Sequence, residues 1–214
     1  MQIISIVNKK GGVAKTTTAL ALASGLSKRN FHVLAIDCDA QANFSKASGG
    51  EDDVVGSFDI LTGKENINEA IQELPLYHLI GADKRLSSID VALNKPGREF
   101  MLKKALSQIH SAYDFCIIDN PPALNVAVAN SLVASDKIII CSSAEALAIE
   151  GLMELSAALD DIHQFMKPAI IVDGILITMV YHYIIRRCNN IFEFPMPHAS
   201  SIAKRILSIL KTQR

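Results

Sequence analysis

The fold of this chain is decided by one stretch near its start, Asn8-Lys9-Lys10-Gly11-Gly12-Val13-Ala14-Lys15-Thr16-Thr17. An apolar run precedes this stretch and a helical pattern follows it. Phosphate binding needs a chain that turns tightly and points successive backbone N–H groups inward at a helix N-terminus. Gly11 and Gly12 permit that close approach, so the stretch predicts a phosphate-binding loop. The alternative is an ordinary glycine-rich turn before a helix, with lysines that are merely solvated.

Two residues of the loop suit a nucleotide. Lys15 is the residue type that bridges β- and γ-phosphates, and the Thr16 hydroxyl is a ligand for Mg²⁺. The common pattern GxxxxGK followed by Ser or Thr fails at two positions, because Lys9 and Ala14 stand where it has glycine. A methyl group at residue 14 is harmless if φ is negative there and costly if the turn needs a positive φ.

Outward from the loop, short apolar runs alternate with helical patterns. The candidate strands are residues 3–7, 32–37, 77–80, 115–119, 137–141 and 170–178. The candidate helices are residues 16–29, 98–110, 125–134 and 146–165. The strands are continuous apolar runs, as expected for strands covered on both faces. The alternation predicts a single α/β domain over residues 1–214, with a doubly wound, mostly parallel sheet flanked by helices, like a P-loop NTPase.

The composition narrows the class of protein. Among 214 residues, 21 lysines and arginines nearly balance 22 aspartates and glutamates, and half of the chain is hydrophobic. A hydrophobic fraction of one half excludes a disordered or fibrous protein. Residues 169–185 fall short of the ~20 apolar residues of a spanning helix, so we expect a cytoplasmic protein. The cysteines form no metal-binding spacing and predict buried free thiols. They are Cys38, Cys116, Cys141 and Cys188.

Three segments, taken together, carry a family resemblance. Lys10-Gly11-Gly12-Val13-Ala14-Lys15-Thr16 resembles KGGxGKT, the deviant Walker A motif of the ParA/MinD family of ATPases. Asp37-Cys38-Asp39-Ala40-Gln41-Ala42-Asn43 resembles that family's DxDPQxN segment, with Ala40 in place of proline. Phe115-Cys116-Ile117-Ile118-Asp119-Asn120-Pro121-Pro122 resembles its Walker B strand, which ends in DxPP. The resemblance covers roughly residues 1–180.

The resemblance implies a weak, Mg²⁺-dependent ATPase that forms a homodimer on binding ATP. Lys10 would be the signature lysine, which reaches across the dimer to the partner's nucleotide. We expect Met179 and Pro197 beside the adenine. Together with these two, the nucleotide-binding residues would be Lys10, Gly11, Gly12, Val13, Ala14, Lys15, Thr16 and Thr17.

Three aspartates are candidates for the chemistry of phosphoryl transfer. Asp119, at the carboxyl end of a strand, can hold Mg²⁺, usually through water, and Thr16 would ligate the same ion. Asp37 and Asp39 are two residues apart, so their side chains share one face. By resemblance, Asp39 orients the attacking water and Asp37 belongs to the outer Mg²⁺ shell, while Lys10 and Lys15 offset phosphate charge. The alternative is that Asp37 and Asp39 only cap loops at strand ends.

The charge of the chain is unevenly distributed. Residues 182–214 carry six basic residues against one acidic residue, a net charge of +5, which leaves −6 on residues 1–181. A basic end on an acidic body favours a polyanionic partner. The resemblance implies non-specific DNA binding by the ATP-bound dimer, hence association with the nucleoid. We expect the contacts at Arg186, Arg187, Lys204 and Arg205. The alternative is that a helix surface or a C-terminal turn simply carries these residues.

Residues 201–211 form a basic amphipathic pattern that allows three interpretations. A helix there packs on the core, contacts DNA, or lies on a membrane as in MinD-type relatives. Gln41 and Asn43 favour ParA over MinD, so we do not expect membrane binding. Because the first predicted strand begins at about residue 2, we also expect no N-terminal helix-turn-helix domain.

The sequence therefore predicts an ATP-dependent dimeric switch that segregates or positions DNA or other cargo. The resemblance implies a ParB-like or adaptor protein that stimulates hydrolysis. A MinD-like membrane-cycling ATPase is the first alternative. A P-loop small-molecule kinase or ligase is the second, and it is disfavoured because no segment for a second substrate is evident and Lys10 has no function in it.

Overall fold

The computed structural model describes residues 1–143, 148–166 and 172–179. Seven strands and seven α-helices lie in these ranges, and three short 3₁₀ segments accompany them. The strands are β1 (Gln2–Val7), β2 (Val33–Asp37), β3 (Ile71–Glu73), β4 (His78–Ile80), β5 (Phe115–Asp119), β6 (Lys137–Ser143) and β7 (Val172–Thr178). The helices are α1 (Lys15–Ser27), α2 (Asn43–Ser48), α3 (Ser57–Thr62), α4 (Ile89–Ala92), α5 (Met101–Ser107), α6 (Val126–Ala134) and α7 (Ala148–Phe165).

The strands form one sheet in the order β3-β4-β2-β5-β1-β6-β7. The described pairs are parallel except for β3, which runs antiparallel to β4 at one edge. From β1 the chain passes through α1 to β2 on one side, and from β5 it passes through α6 to β6 on the other. The direction of winding therefore reverses beside β1, where open α/β sheets place a crevice at the carboxyl ends of the strands. The predicted fold class is confirmed.

The core lies on both faces of the sheet because successive residues of each strand point to opposite sides. On one face, Ile36 of β2 belongs to a cluster with side chains of α3, α5 and α6. On the other face, the neighbouring Ala35 packs in a cluster with α1 and with Phe44 of α2. A third cluster joins β6 to Leu155 and Leu159 of α7. Burial on both faces explains why the strands read as continuous apolar runs.

Several elements differ from the sequence prediction. The predicted helix over residues 98–110 begins as a 3₁₀ turn at Arg98–Phe100, and its α-helical part ends at Ser107. It ends there because the next amides bond three residues back, from Gln108 to Ala105 and from Ile109 to Leu106. The strand β3 and the helices α2, α3 and α4 are not among the predicted elements, since each is six residues or shorter.

Two further expectations concern compartment and thiol chemistry. The thiols of Cys38, Cys116 and Cys141 are free and buried, as predicted, whereas Cys188 lies outside the described residues. Burial raises the pKa of the Cys38 thiol well above its usual range. In the part of the chain that the structure covers, no helix has both the length and the apolar character to cross a membrane.

Candidate nucleotide site

The predicted phosphate loop connects β1 to α1 at the carboxyl edge of the sheet, beside the point where the winding reverses. Gly12 has a φ of 71° and Ala14 has a φ of 60°, so the chain turns twice through the left-handed region. Val13, between them, is buried and anchors the loop. The Nζ atom of Lys15 donates to the main-chain oxygen of Lys10 at 3.0 Å, which closes the loop on itself.

Ala14 adopts the backbone conformation in which a methyl group is costly. It is the N-cap of α1, with φ 60° and ψ 30°. A left-handed conformation costs a residue with a Cβ about 1–2 kcal/mol, a cost that glycine avoids. The departure from glycine at this position therefore stores strain next to the lysine that would meet the phosphates.

Strands β6 and β7 hold the loop from its other side. The Nδ2 atom of Asn8 donates to the main-chain oxygen of Cys141 at 2.6 Å, and the Nζ atom of Lys10 lies 3.4 Å from the hydroxyl of Ser143. The hydroxyl of Thr178, on β7, donates to the main-chain oxygen of Val13 at 3.1 Å. Asn8, Ser143 and Thr178 are not among the site residues predicted from the sequence. A polar residue directly after an apolar strand was the available signal for Asn8.

Asp119 ends β5 with a carboxylate that is buried and unsatisfied. Asp119 is 1% exposed, and neither of its carboxylate oxygens accepts a hydrogen bond of good geometry from the described residues. Burial raises the pKa of this carboxyl to about 7, although the nearby Thr16 hydroxyl and Lys15 ammonium lower it. A buried carboxylate left unpaired is expensive, which points to a ligand that completes it.

Lys15 lies beside this carboxylate. The residue is buried, and that burial lowers its pKa below the usual value for lysine, while the negative charges of Asp119 and Asp39 act in the opposite direction. The three side chains therefore influence one another at a single site. An ammonium held in a poorly solvated position interacts more strongly with an incoming phosphate than a solvated one would.

Asp37, at the end of β2, is buried but fully hydrogen-bonded. Its Oδ1 atom accepts from the amide of Asp39 at 3.0 Å, and its Oδ2 atom accepts from the amide of Ser45 at 2.9 Å and from the Ser45 hydroxyl at 2.8 Å. Burial raises the pKa of Asp37, and these hydrogen bonds partly offset that rise. The carboxylate fixes the loop from β2 to α2. Its outer-shell contact with Mg²⁺ remains a prediction.

Asp39 lies two residues beyond β2 and is partly exposed. Its Oδ1 atom accepts from the amide of Gln41 at 3.0 Å, forming a local turn. Its negative charge acts on the pKa of both Lys15 and Asp119, so the carboxylate lies near these two side chains. The aspartates that the sequence analysis singled out are thus brought together at one edge of the sheet.

The residues present fit a magnesium ion bound together with a nucleotide. Mg²⁺ takes one or two carboxylates and fills its remaining positions with water and phosphate oxygens. The unsatisfied oxygens of Asp119 and the nearby Thr16 hydroxyl supply such a donor set. Within the described ranges there is no group of three or more His, Cys, Asp or Glu side chains that could hold a metal by itself.

Other predicted site residues lie at the edge of the described structure or beyond it. Met179 directly follows β7 and is largely exposed, one residue after the Thr178 that contacts the loop. The remaining ones lie outside the described residues: Arg186, Arg187, Pro197, Lys204 and Arg205.

Comparisons with known proteins identify the family of the chain. A family model described as an AAA domain, AAA_31, matches residues 1–172. The chromosome partitioning protein ParA of Myxococcus xanthus is 34% identical over 203 residues, which cover 90% of this chain and 72% of ParA. Cobyrinic acid a,c-diamide synthase from Mycobacterium smegmatis, solved with an ATP analogue and magnesium, has a TM-score of 0.80 at 25% identity, covering 100% of this chain and 97% of that one.

An ATP complex of McdA from Cyanothece has a TM-score of 0.78 at 25% identity, over 83% of this chain and 70% of that one. The family match covers most of the chain, and the identity to ParA extends over most of both proteins. The chain therefore belongs to the AAA_31 family and, within it, to the ParA-type partition ATPases.

Proposed function

We propose that this protein is an ATP-dependent dimeric switch that positions DNA or another cargo. One observation carries the proposal. The buried carboxylate of Asp119, which accepts no hydrogen bond of good geometry from the described residues, lies beside Lys15 and Thr16 at the mouth of the glycine-rich loop. An uncompensated acid beside a desolvated lysine is completed by a divalent cation together with a phosphate group, and neither group alone satisfies both side chains.

Each side chain has a defined part in the reaction. Bound Mg²⁺ would polarise the phosphate oxygens and offset their charge. Lys15, held rigidly by the loop, places a positive charge where negative charge develops on the phosphates, and Lys10 adds a second. Asp39 accepts a proton from the attacking water or orients it. Asp37 holds the β2 loop so that Asp39 keeps its place.

The switch depends on two subunits. If Lys10 completes the site of a partner subunit, hydrolysis requires two ATP-bound copies face to face. ATP then favours the dimer and its hydrolysis dissolves it, which makes the lifetime of the dimer a timer. Relatives that partition chromosomes supply the biological setting. A ParB-like or adaptor protein would stimulate hydrolysis and so shorten the lifetime of the dimer.

DNA binding is proposed for the basic residues of the region 182–214, whose net charge is +5. A dimer carries that charge twice, so we expect DNA affinity to follow dimerisation. Contacts to phosphates carry no sequence information and weaken steeply with salt. Sequence-independent binding that is lost between about 50 and 200 mM salt is therefore expected.

The proposal is tested with Asp39→Ala and Lys15→Ala. Asp39→Ala retains the loop and Asp119, so we expect it to bind ATP, accumulate as a dimer and retain DNA at low salt while turnover stops. Lys15→Ala removes the buried ammonium, so it should neither bind ATP nor dimerise. Light scattering and DNA co-sedimentation with ATP or ADP measure both. Turnover by Asp39→Ala at the wild-type rate would contradict the assignment.

A P-loop enzyme that acts on a small molecule is the second candidate. The synthase fold matches over the whole chain, but a shared fold alone does not assign an activity. The sequence similarity to ParA favours the switch instead. ATP turnover that needs an added small carboxylic acid, with no change in oligomeric state, would support this candidate. ATP-dependent capture on lipid vesicles rather than DNA would support a MinD-like ATPase.

A further inference from the structure

Asn8 occupies a special position between the sheet and the phosphate loop. It directly follows β1 and is 3% exposed. Its Nδ2 atom donates to the main-chain oxygen of Cys141, on β6, at 2.6 Å. Its Oδ1 atom accepts from the amide of Lys10 at 2.9 Å. One amide side chain therefore joins the end of β1, the end of β6 and the main chain of Lys10.

The main chain of Lys10 is held on both sides. The Oδ1 atom of Asn8 accepts from the N–H of Lys10, and the Nζ atom of Lys15 donates to the C=O of Lys10 at 3.0 Å. The Cα atom of Lys10 is thus fixed relative to Lys15. Its Nζ atom lies 3.4 Å from the Ser143 hydroxyl, two residues along β6 from the carbonyl that Asn8 contacts. Asn8 and the Lys10 side chain therefore both contact the carboxyl-terminal part of β6, which fixes where that side chain starts.

Asn130 shows what a purely structural asparagine looks like in this protein. It is fully buried in α6, donates to the main-chain oxygens of Arg98 and Val126, and accepts from the amide of Leu102. All three partners are main-chain groups at the junction of α5 and α6. Asn8 has the same kind of bonding, but one of its partners is a residue assigned to phosphate chemistry.

We propose that Asn8 is a positioning residue for Lys10, which sets where the ammonium of that lysine can reach. The inference rests on the proposed function, because it assumes that Lys10 acts on a nucleotide. Removing Asn8 frees the Lys10 amide and leaves the carbonyl of Cys141 without this donor. The loop can still bind phosphates through Lys15, but Lys10 starts from a variable position.

A double-mutant cycle tests this inference. The variants are Asn8→Ala, Lys10→Ala and the double variant, with Asn130→Ala as the control for loss of a buried amide. Turnover is measured at saturating ATP, and ADP affinity is measured separately. We expect Asn8→Ala to lower turnover about 10- to 100-fold, since small misplacements have effects of that size. Its ADP affinity should stay within about threefold, and the double variant should be no slower than Lys10→Ala.

The other outcomes are separable. Asn130→Ala should lower the melting temperature and leave the turnover of folded protein unchanged. Fully additive losses of Asn8→Ala and Lys10→Ala would overturn the inference, as would equal losses of ADP affinity and turnover. A slow Lys10→Ala with a normal Asn8→Ala overturns the inference and leaves the proposed function intact. Wild-type turnover by Lys10→Ala overturns the part assigned to that lysine as well.

A second variant guards against misfolding of Asn8→Ala. In Asn8→Asp, the protonated carboxyl can donate to the Cys141 carbonyl and accept from the Lys10 amide, whereas the ionised form has lost the donor. Turnover relative to the wild type at the same pH should therefore recover as the pH falls from 8 to 5, and Asn8→Ala should show no such recovery. The melting temperature of the nucleotide-free protein supplies an independent measurement. A ratio for Asn8→Asp that stays as low as that of Asn8→Ala at every pH would contradict the inference.

Discussion

The ends of β2 and β5 place two aspartates side by side and treat them in opposite ways. Asp37 and Asp119 are paired in the parallel register, and both are buried. Asp37 accepts three hydrogen bonds from the loop that follows it. Asp119 accepts none of good geometry within the described part of the chain. A buried carboxylate that accepts hydrogen bonds from the protein fixes the chain around it, whereas a buried carboxylate without them is a candidate ligand-binding group.

The loops after the two strands explain the difference. After β2, the chain returns through a left-handed Ala42 into α2, and this brings the Ser45 amide and hydroxyl to Asp37. After β5, Pro121 and Pro122 have no N–H to donate. The side-chain Nδ2 atom of Asn120 donates to the main-chain oxygen of Ile6 instead. The loop after β5 thus contains few donors that could reach Asp119.

The largest effect is expected from Asp119→Asn, which keeps the shape of the side chain and removes its charge. The Mg²⁺ concentration needed for half-maximal turnover should rise about 10- to 100-fold, because a metal-binding group is lost. Titrating Mg²⁺ at fixed ATP measures this. An unchanged Mg²⁺ requirement would mean that Asp119 is no more a ligand site than Asp37.

The same variant should change how stability depends on pH. The pKa of Asp119 is raised to about 7 from an ordinary value of 3.8, chiefly by burial. The folded protein therefore keeps a proton that the unfolded chain releases, and nucleotide-free stability falls as the pH rises from about 4 to 7. Relative to Asp119→Asn, the wild type should lose up to about 4 kcal/mol over this interval. Urea unfolding at pH 4 and pH 8 measures the difference, and parallel curves would contradict it.

Asp37→Ala should behave in the opposite way to Asp119→Asn. Its main effect should be a loss of folding stability and not a change in the Mg²⁺ requirement. The Ser45 amide and hydroxyl and the Asp39 amide lose their acceptor in a buried loop, at a cost of about 2–4 kcal/mol. At about 2–4 °C per kcal/mol, the melting temperature should fall by roughly 4–16 °C. Thermal unfolding without nucleotide measures this. A normal melting temperature combined with a lost Mg²⁺ response would make Asp37 a metal residue.

The smallest effects concern the turns that lead into α1 and α2. Ala14 and Ala42 are the N-caps of these helices, and both are left-handed, with φ of 60° and 52°. Glycine relieves each turn but has more freedom when unfolded, so we expect Ala14→Gly and Ala42→Gly to stabilise by about 0.5–1 kcal/mol each. Ala14→Gly should also bind ADP at least as tightly as the wild type. Weaker binding would mean that the strain aids nucleotide binding.

The sequence was enough to predict six of the seven described strands and the glycine-rich loop that follows the first of them. Continuous apolar runs such as residues 115–119 reflect burial on both faces, and Gly11 and Gly12 mark the loop without any tertiary information. Two aspartates at strand ends could be located in the same way. Their different hydrogen bonding could not be predicted, because two of the three donors to Asp37 come from Ser45, eight residues away on a helix too short to predict.

The conformation of Ala14 was likewise undecided, since its φ depends on how β6 and β7 hold the loop. The contacts that fix it run from Thr178 to Val13 and from Asn8 to Cys141, over more than 130 residues of chain. No local pattern encodes such contacts.

Mixing two inactive variants tests most directly whether this protein is a dimeric ATP switch. Lys10→Ala retains Asp39, and Asp39→Ala retains Lys10. If Lys10 acts across the dimer, each mixed dimer contains one complete site. Because half of randomly paired dimers are mixed, an equimolar mixture should regain about a quarter of the wild-type turnover. Turnover no higher than that of either variant alone would contradict a lysine supplied by the partner subunit.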